Sequence, residues 1–345
     1  MTLAHLTEQA IALLEKAHLS SDIVSIEPCL HGGNNRTYRV KTDEASFALK
    51  QYFRQAGDER DRLAAEFAFL SYANKLAKNT VPIAYAQDEV AGLALYEFIE
   101  GRAFKPGEVS AKDIDHAIHF FCVLNEGRHH EEANNLPLAS ESCFSIQHHL
   151  NLIDARIQAL QQIIPDQAED MRAAKLVRQL QMRWQTLVDQ IKQTAIICSL
   201  DLLQLLAENQ RCISPSDFGF HNALKLADGS VRFLDFEYAG WDDPAKMSGD
   251  FFSQLAVPVS TDYFDHFVQT VMSSFSMPDA LIKRAYLLRP VYQVKWCCIA
   301  LNIFIPVNLA RRQFAKPDLN VIDLKRAQLA KAESLVHQLE RTHYG

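Results

Sequence analysis

Apolar residues recur at helical spacing over residues 2–19, where Leu3, Leu6, Ala10, Ile11, Leu13 and Leu14 share a face, and the period predicts an amphipathic helix. The period then shortens. β-like runs at 23–26, 37–40 and 47–52 are separated by the turn chemistry of His31-Gly32-Gly33-Asn34-Asn35 and Thr42-Asp43-Glu44. A helix is expected from about 58 to 78, with Leu63, Phe67, Leu70 and Ala73 on one side, and strand-like runs at 83–86 and 93–99 follow it. Three strands, a helix and two strands make an α+β layer with a mostly antiparallel sheet.

Beyond residue 100 the helical period dominates. Helices are predicted at 111–128, 145–164, 167–195, 197–208, 246–256, 261–275, 279–313 and 317–342. Only 212–243 interrupts them, where Cys212-Ile213-Ser214 and Val231-Arg232-Phe233-Leu234 read as extended and flank loops. Gly101 and Pro106 mark a link over 100–106. The expected division is a small sheet-based lobe, residues 1–100, and a larger helical lobe, residues 101–345. A cleft is expected where they meet.

Composition narrows the function classes. With 345 residues, 48% hydrophobic and 22% charged, the chain is ordinary globular protein. Thirty-five basic residues against 42 acidic ones leave −7 with histidine neutral, which lacks the basic footprint of a nucleic-acid binder. The most apolar stretch, 285–307, contains Arg289 and Lys295. Centring both in a bilayer would cost on the order of several kcal/mol, so a buried helix pair is expected there and not a membrane insertion. The seven cysteines are odd in number and form no C-x-x-C; several sit in apolar runs such as Trp296-Cys297-Cys298-Ile299. They read as reduced, buried thiols. Met1-Thr2-Leu3-Ala4-His5 has no basic region leading into an apolar core, so no secretory signal and a cytoplasmic location are expected. The twelve glycines form no G-x-x-x-x-G-K-[ST], no G-x-G-x-x-G and no G-x-S-x-G, and His130-Glu131 lacks the second histidine of a zinc-protease helix. Any nucleotide must be held by a different loop.

Two constellations carry chemistry. Asp217 and Asn222 stand five residues apart on a loop, and Asp235 follows a β-like run thirteen residues later. Phosphoryl transfer needs a carboxylate near the attacking hydroxyl and oxygen ligands that hold magnesium on the phosphates; two aspartates and an amide in this order meet that need. Taken singly, each is ordinary turn chemistry. In the first lobe, Ala48-Leu49-Lys50 places a lysine at the end of a strand-like run, and Glu66 lies sixteen residues on within a helix. A strand lysine paired with a helix glutamate can hold phosphates at a set distance from the sheet. Singly, these would be a solvated lysine and a surface glutamate. Glu59 is an alternative partner, but Glu66 is the one embedded in the periodic run Ala65-Glu66-Phe67-Ala68-Phe69-Leu70.

In this order the residues resemble the kinase-like phosphotransferases that include aminoglycoside phosphotransferases, choline and ethanolamine kinases and type II homoserine kinases. The likeness runs from about Cys29 to Phe252. It implies a bilobal protein-kinase-like fold, ATP and Mg2+ as cofactors, and a small-molecule hydroxyl acceptor. The segment from His31 to Val40, with Gly32, Gly33, Asn34 and Asn35, resembles the family's turn over the nucleotide phosphates. Lys50 and Glu66 match its lysine–glutamate pair. Tyr96-Glu97-Phe98-Ile99-Glu100-Gly101 resembles the hinge, where backbone groups of Glu97, Phe98 and Ile99 would meet adenine. Asp217 would be the catalytic base, Asn222 a magnesium ligand and Asp235 the principal one. Asp243-Pro244 and Asp250 match positions that brace the catalytic loop, and Phe236-Glu237-Tyr238-Ala239-Gly240 is similar to the choline kinase branch.

The sequence departs from that family where H-G-D is usual: Pro215-Ser216 precedes Asp217. Pro215 fixes its own φ, and His221 stands ready for part of the orienting role. The departure keeps a second class open, a nucleotide-binding pseudokinase acting as a regulatory or scaffolding module. Trp241, Tyr292 and Trp296 invite a cage for a quaternary ammonium, but aromatic residues at helical spacing are usually core. Members of His129-His130 and His148-His149 fall on different helix faces and read as solvated or capping.

Overall fold

The computed structural model describes residues 2–29, 35–54, 60–315 and 318–341. The chain begins α1 (Leu3–Lys16), β1 (Ile23–Pro28), β2 (Arg36–Thr42), β3 (Ser46–Gln51), α2 (Arg62–Leu76), β4 (Ala84–Asp88) and β5 (Leu93–Glu97). The strands form one sheet in the order β1-β2-β3-β5-β4 with every neighbour antiparallel. Strand periodicity splits its two faces. Phe47, Leu49, Leu93 and Leu95 turn toward one side, where Leu6, Ala10, Leu13 and Leu14 of α1 cover them. Ala94 and Tyr96 turn to the other side and join the core that contains Leu63, Phe69, Leu70 and Ala73 of α2. Lys50 alternates with Leu49, so the apolar pattern of β3 aims its ammonium at α2.

The second lobe follows as β6 (Arg102–Ala103), α3 (Ala111–Glu126), α4 (Ile146–Leu160), α5 (Ala168–Ile197), β7 (Cys212–Ser214), β8 (Ala223–Lys225), β9 (Val231–Phe233), β10 (Gly240–Asp242), α6 (Pro244–Ser253), α7 (Phe264–Met272), α8 (Pro278–Leu301), α9 (Pro306–Ala315) and α10 (Val321–Arg341). Its centre is α8, packed against α6, α4, α5, α7 and α10. Helix α6 approaches α8 closely because Gly249 has no side chain: a Cβ there would lie 2.4 Å from the Tyr292 ring. An aromatic column joins the lobes. Phe69 of α2 stacks on Phe236 at 4.6 Å, and Phe120 of α3 lies against both Phe236 and Phe233. The α+β bilobal fold expected from the pattern is the fold observed.

Two predicted elements differ. Residues 198–207 are not helical; only Glu208–Gln210 forms a short 3-10 turn. The backbone there bonds outward, with Gln147 N–H on the Leu202 carbonyl and Leu206 N–H on the Phe144 carbonyl, so α4 takes the groups a helix would have used. The helix expected over 279–313 is broken between α8 and α9. Pro306 drives Ile305 into extended backbone and opens a new helix. Among the described residues no single helix is long and apolar enough to cross a membrane.

Candidate active site

Lys50 Nζ lies 2.6 Å from Glu66 Oε2 and 2.6 Å from Asp235 Oδ1. Glu66 is held at both oxygens: Tyr52 donates to Oε2 at 2.6 Å, and the Phe236 N–H donates to Oε1 at 3.2 Å. Tyr52 in turn touches the Tyr96 hydroxyl at 2.6 Å. The glutamate therefore binds β3, α2 and the segment after β9 into one unit. Burial would strip the charge from Lys50, but Asp235, Glu66 and Glu237 outweigh it and hold the lysine well above its ordinary pKa. An ammonium has three protons to donate and two go to these carboxylates, leaving one for a ligand oxygen.

Asn222 and Asp235 are brought to the same end of a hairpin by the strands between them. β8 and β9 pair with Ala223 opposite Phe233, so the next residues outward, Asn222 and Leu234, also face each other; the Leu234 N–H donates to the Asn222 carbonyl at 2.8 Å. Asp235 follows directly, in the left-handed region at φ 65. Such backbone strain is tolerated where the surroundings hold it in place. The side-chain nitrogen of Asn222 donates to the Asp217 carbonyl at 3.0 Å and to Asp217 Oδ2 at 3.2 Å, which turns its amide oxygen away from Asp217.

Asp217 lies on the loop that leaves β7. That strand pairs with β10, Ser214 opposite Gly240, and the Ser214 hydroxyl accepts the Ser216 N–H at 3.0 Å. Ser216 adopts φ 64, a conformation usual for glycine. The Asp217 side chain is 34% exposed, and His221 Nε2 stands 3.1 Å from its Oδ1. Burial raises the carboxyl, but the charge and hydrogen bond of His221, the Asn222 amide and the charge of Lys295 together lower it below the ordinary range. His221 is lifted in return, the field of Asp217 outweighing the effect of burial. Asp217 therefore stays ionised.

Other expected residues fall as follows. Asn35 is buried, donating to Glu237 Oε2 at 2.6 Å and accepting the Phe53 N–H at 3.0 Å, and so ties the start of β2 to the segment after Asp235. Gly32, Gly33 and Asn34 lie outside the described residues, as does Glu59. Glu97 ends β5; its N–H donates to the Ile83 carbonyl and its carboxylate accepts from Arg232 at 2.6 Å. Phe98 and Ile99 follow it, with Arg39 over the Phe98 ring at 4.5 Å.

Behind Asp217 lies a network that the expected residues only partly named. Asp243 caps α6 through the Ala245 N–H and accepts from Arg284 Nε at 2.7 Å and His149 Nε2 at 2.9 Å. His149 is fully buried, its other ring nitrogen bonded to the Tyr292 hydroxyl. That corrects the expectation of a solvated or capping histidine. Burial drops its pKa to about 4, so it is neutral. Asp250 accepts from Lys295 at 2.8 Å and Trp296 Nε1 at 2.9 Å. Asp243 and Asp250 thus brace α6 against α4 and α8; Asp250 is linked onward to the Asp217 loop through Trp296, whose ring meets that of His221 at 6.1 Å and a steep angle, and through the charge of Lys295. The three cage aromatics take separate partners: Tyr292 is core, and Trp241 donates to the Ala133 carbonyl at 3.0 Å.

The profile of the phosphotransferase enzyme family matches residues 25–269. The chain belongs to that family. All of the candidate groups described above except Lys295 and Trp296, and the α8 residues Arg284 and Tyr292 behind them, lie within the matched span. No curated protein matches the sequence. Solved structures share this phosphotransferase's fold at low identity. An ethanolamine kinase from Plasmodium vivax is 14% identical with a TM-score of 0.58, covering 98% of this chain and 91% of that one. A choline kinase from Cryptosporidium parvum is 12% identical with a TM-score of 0.56, covering 97% and 100%. A spectinomycin phosphotransferase, solved with ADP and spectinomycin, is 13% identical with a TM-score of 0.57, covering 95% and 98%.

Among the described residues no three His, Cys, Asp or Glu side chains form a ready-made metal cluster. The Asp235 carboxylate and the amide oxygen of Asn222 are nevertheless hard oxygen donors of the kind magnesium takes. That ion commonly uses one or two carboxylates plus substrate phosphates and water, so a sparse protein donor set fits it.

Proposed function

We propose that this protein is a small-molecule kinase that transfers the γ-phosphoryl group of ATP to a hydroxyl of its acceptor. What supports the reading most is the meeting of Lys50, Glu66 and Asp235 on a single ammonium, next to the loop that carries Asp217. Residues 1–100 would serve as the nucleotide lobe and 101–345 as the lobe that selects the acceptor. Lys50, positioned by Glu66, would donate its remaining proton to a phosphate oxygen; the turn of Gly32, Gly33, Asn34 and Asn35 would help to hold the phosphates, and Glu97, Phe98 and Ile99 would edge the base. Asn222 and Asp235 would hold magnesium, which would supply positive charge against the negative charge of the phosphates. Asp217, ionised and partly exposed, would accept a hydrogen bond from the acceptor hydroxyl, align it for in-line attack and take its proton as the bond to phosphorus forms.

The test is ADP release in the presence of magnesium and a panel of amino alcohols, sugars, amino acids and aminoglycosides. Acceptor-dependent release is the expected result. Thermal unfolding reports binding separately: ATP with magnesium at about 100 times its Kd adds about 2.7 kcal/mol, and Asp235→Ala should abolish that gain. Stabilisation without turnover on any acceptor would replace this reading with a nucleotide-binding scaffold. Absence of any stabilisation would sink the nucleotide site itself.

A further inference from the structure

Among the described residues Asp217 has one donor on each carboxylate oxygen, and both come from its own loop: Asn222 on Oδ2 and His221 on Oδ1. The terminal torsion of an aspartate is broad and roughly two-fold, so the plane of its carboxylate is set by such partners and not by the chain. Asn222 is also the candidate magnesium ligand. The His221 ring is thus the one holding group with no other task among the described contacts.

The seat of that ring is unusual. The His221 side chain is 13% exposed, its ring stands nearly perpendicular to that of Trp296 with centroids 6.1 Å apart, and its Nδ1 is buried without a hydrogen-bond partner. A bare buried nitrogen weakens a fold, and a hydrocarbon ring in the same seat would carry no such cost. The ring is therefore poorly explained by packing and well explained by what Nε2 does. Gly219 completes the seat. A Cβ there would come within 2.8 Å of Nδ1 and 3.3 Å of Gln254 Cγ, while the extended backbone of Gly219 would suit any residue. Space for the imidazole is what that glycine provides.

We propose that His221 is a positioning residue, whose Nε2–H fixes the Asp217 carboxylate in the plane that the acceptor hydroxyl meets. The proposal rests on the phosphotransferase reading. It also explains how the loop works with Pro215, which has neither an N–H nor a side-chain donor, two residues before Asp217.

Two variants separate the hydrogen bond from the ring. His221→Phe keeps the ring against Trp296 and removes the donor. His221→Gln removes the ring and puts an amide nitrogen near the place of Nε2. With ATP, magnesium and an acceptor, the phenylalanine variant should lose roughly 10–100-fold in kcat, as small misplacements of a reacting group do. Its KM for ATP and acceptor should stay within about threefold of wild type. The glutamine variant should recover most of the loss, and Gly219→Ala should fall between the two. A phenylalanine variant as fast as wild type, or a glutamine variant as slow as phenylalanine, overturns the proposal. A readout without turnover is the histidine 15N–1H correlation spectrum. His221 should show a protonated Nε2 whose signal moves on Asp217→Asn, and a signal indifferent to that change also overturns it. Since the spectra do not depend on activity, a wild-type chain that transfers no phosphate counts against the phosphotransferase reading and leaves the Asp217–His221 contact to be decided by the spectra.

Discussion

Between the two lobes, Glu66 and Asp235 both hold the Lys50 ammonium at 2.6 Å, while Glu237 faces the guanidinium of Arg62 at 4.0 Å. Behind the Asp217 loop, Lys246, Arg284, Lys295 and Arg156 stand against Asp242, Asp243, Asp250 and Glu141, four cations for four carboxylates. Both clusters are largely buried, and both are rich in the residue types that perform chemistry. They differ in balance. The second is closed, each charge meeting an opposite one, and its work is to lock α6 onto α4 and α8. In the first, two carboxylates share the Lys50 ammonium, which keeps one proton for a further acceptor, an arrangement that a divalent cation and phosphate would complete. Buried charge by itself does not set the two apart; how it is shared does.

The contrast can be broken most severely by crossing substitutions between the two sides. Asp217→Asn should lower turnover by roughly 10²–10⁴-fold while ATP binding and thermal unfolding stay close to wild type. Asp243→Ala should do the reverse. It leaves Arg284 buried without its carboxylate, and urea unfolding should show about 3–5 kcal/mol lost, with turnover at low temperature largely kept. Equal effects of the two on stability would erase the distinction.

Acid sharpens it further. His149 is neutral in the fold down to about pH 4, whereas an unfolded histidine takes a proton near 6.5. Between those values the unfolded chain binds the extra proton, so stability falls as pH falls, by about 3 kcal/mol over the whole window. Denaturation series for wild type and His149→Gln should diverge in slope between pH 6.5 and 4 and run parallel above it. Asp243 and Glu141 are each held near a pKa of about 2, against burial, by Arg284 with His149 and by Arg156 with Lys295 respectively. Their contribution is present above pH about 4 and should disappear only as pH falls toward 2. The smallest effect is expected at Ser216, whose φ of 64 suits glycine. Ser216→Gly should leave turnover within about twofold and stabilise by less than about 1 kcal/mol, seen as a small rise in Tm.

How much of this was legible in the chain follows from distance along it. Lys50 and Glu66 are joined by a strand end and a helix, and Asn222 and Asp235 by a short hairpin, so spacing alone could place each pair. The contacts that spacing could not reach are longer. Tyr96 meets Tyr52 across 44 residues, Asp243 meets His149 across 94, and Tyr292 meets His149 across 143. A histidine with such partners looks, locally, like any polar residue on a helix. The segment 198–207 misleads in the same way: its leucines recur as a helix would have them, yet α4 offers its backbone other partners, and Leu203 and Leu205 are left exposed. Pro306 was a local signal for the break before α9, one that the apolar period around it obscured.

Sequence by itself determined the kind of chemistry. The identity and order of Lys50, Glu66, Asp217, Asn222 and Asp235 depend on short connections, and short connections restrict what can meet. Tertiary structure alone decided which charges are matched, that Asp217 is held by His221 and Asn222, and that His149 is buried neutral. The reason is physical. Periodicity is a property of neighbours along the chain, whereas the energy of a charge depends on everything within a few ångströms of it, from whichever element it comes.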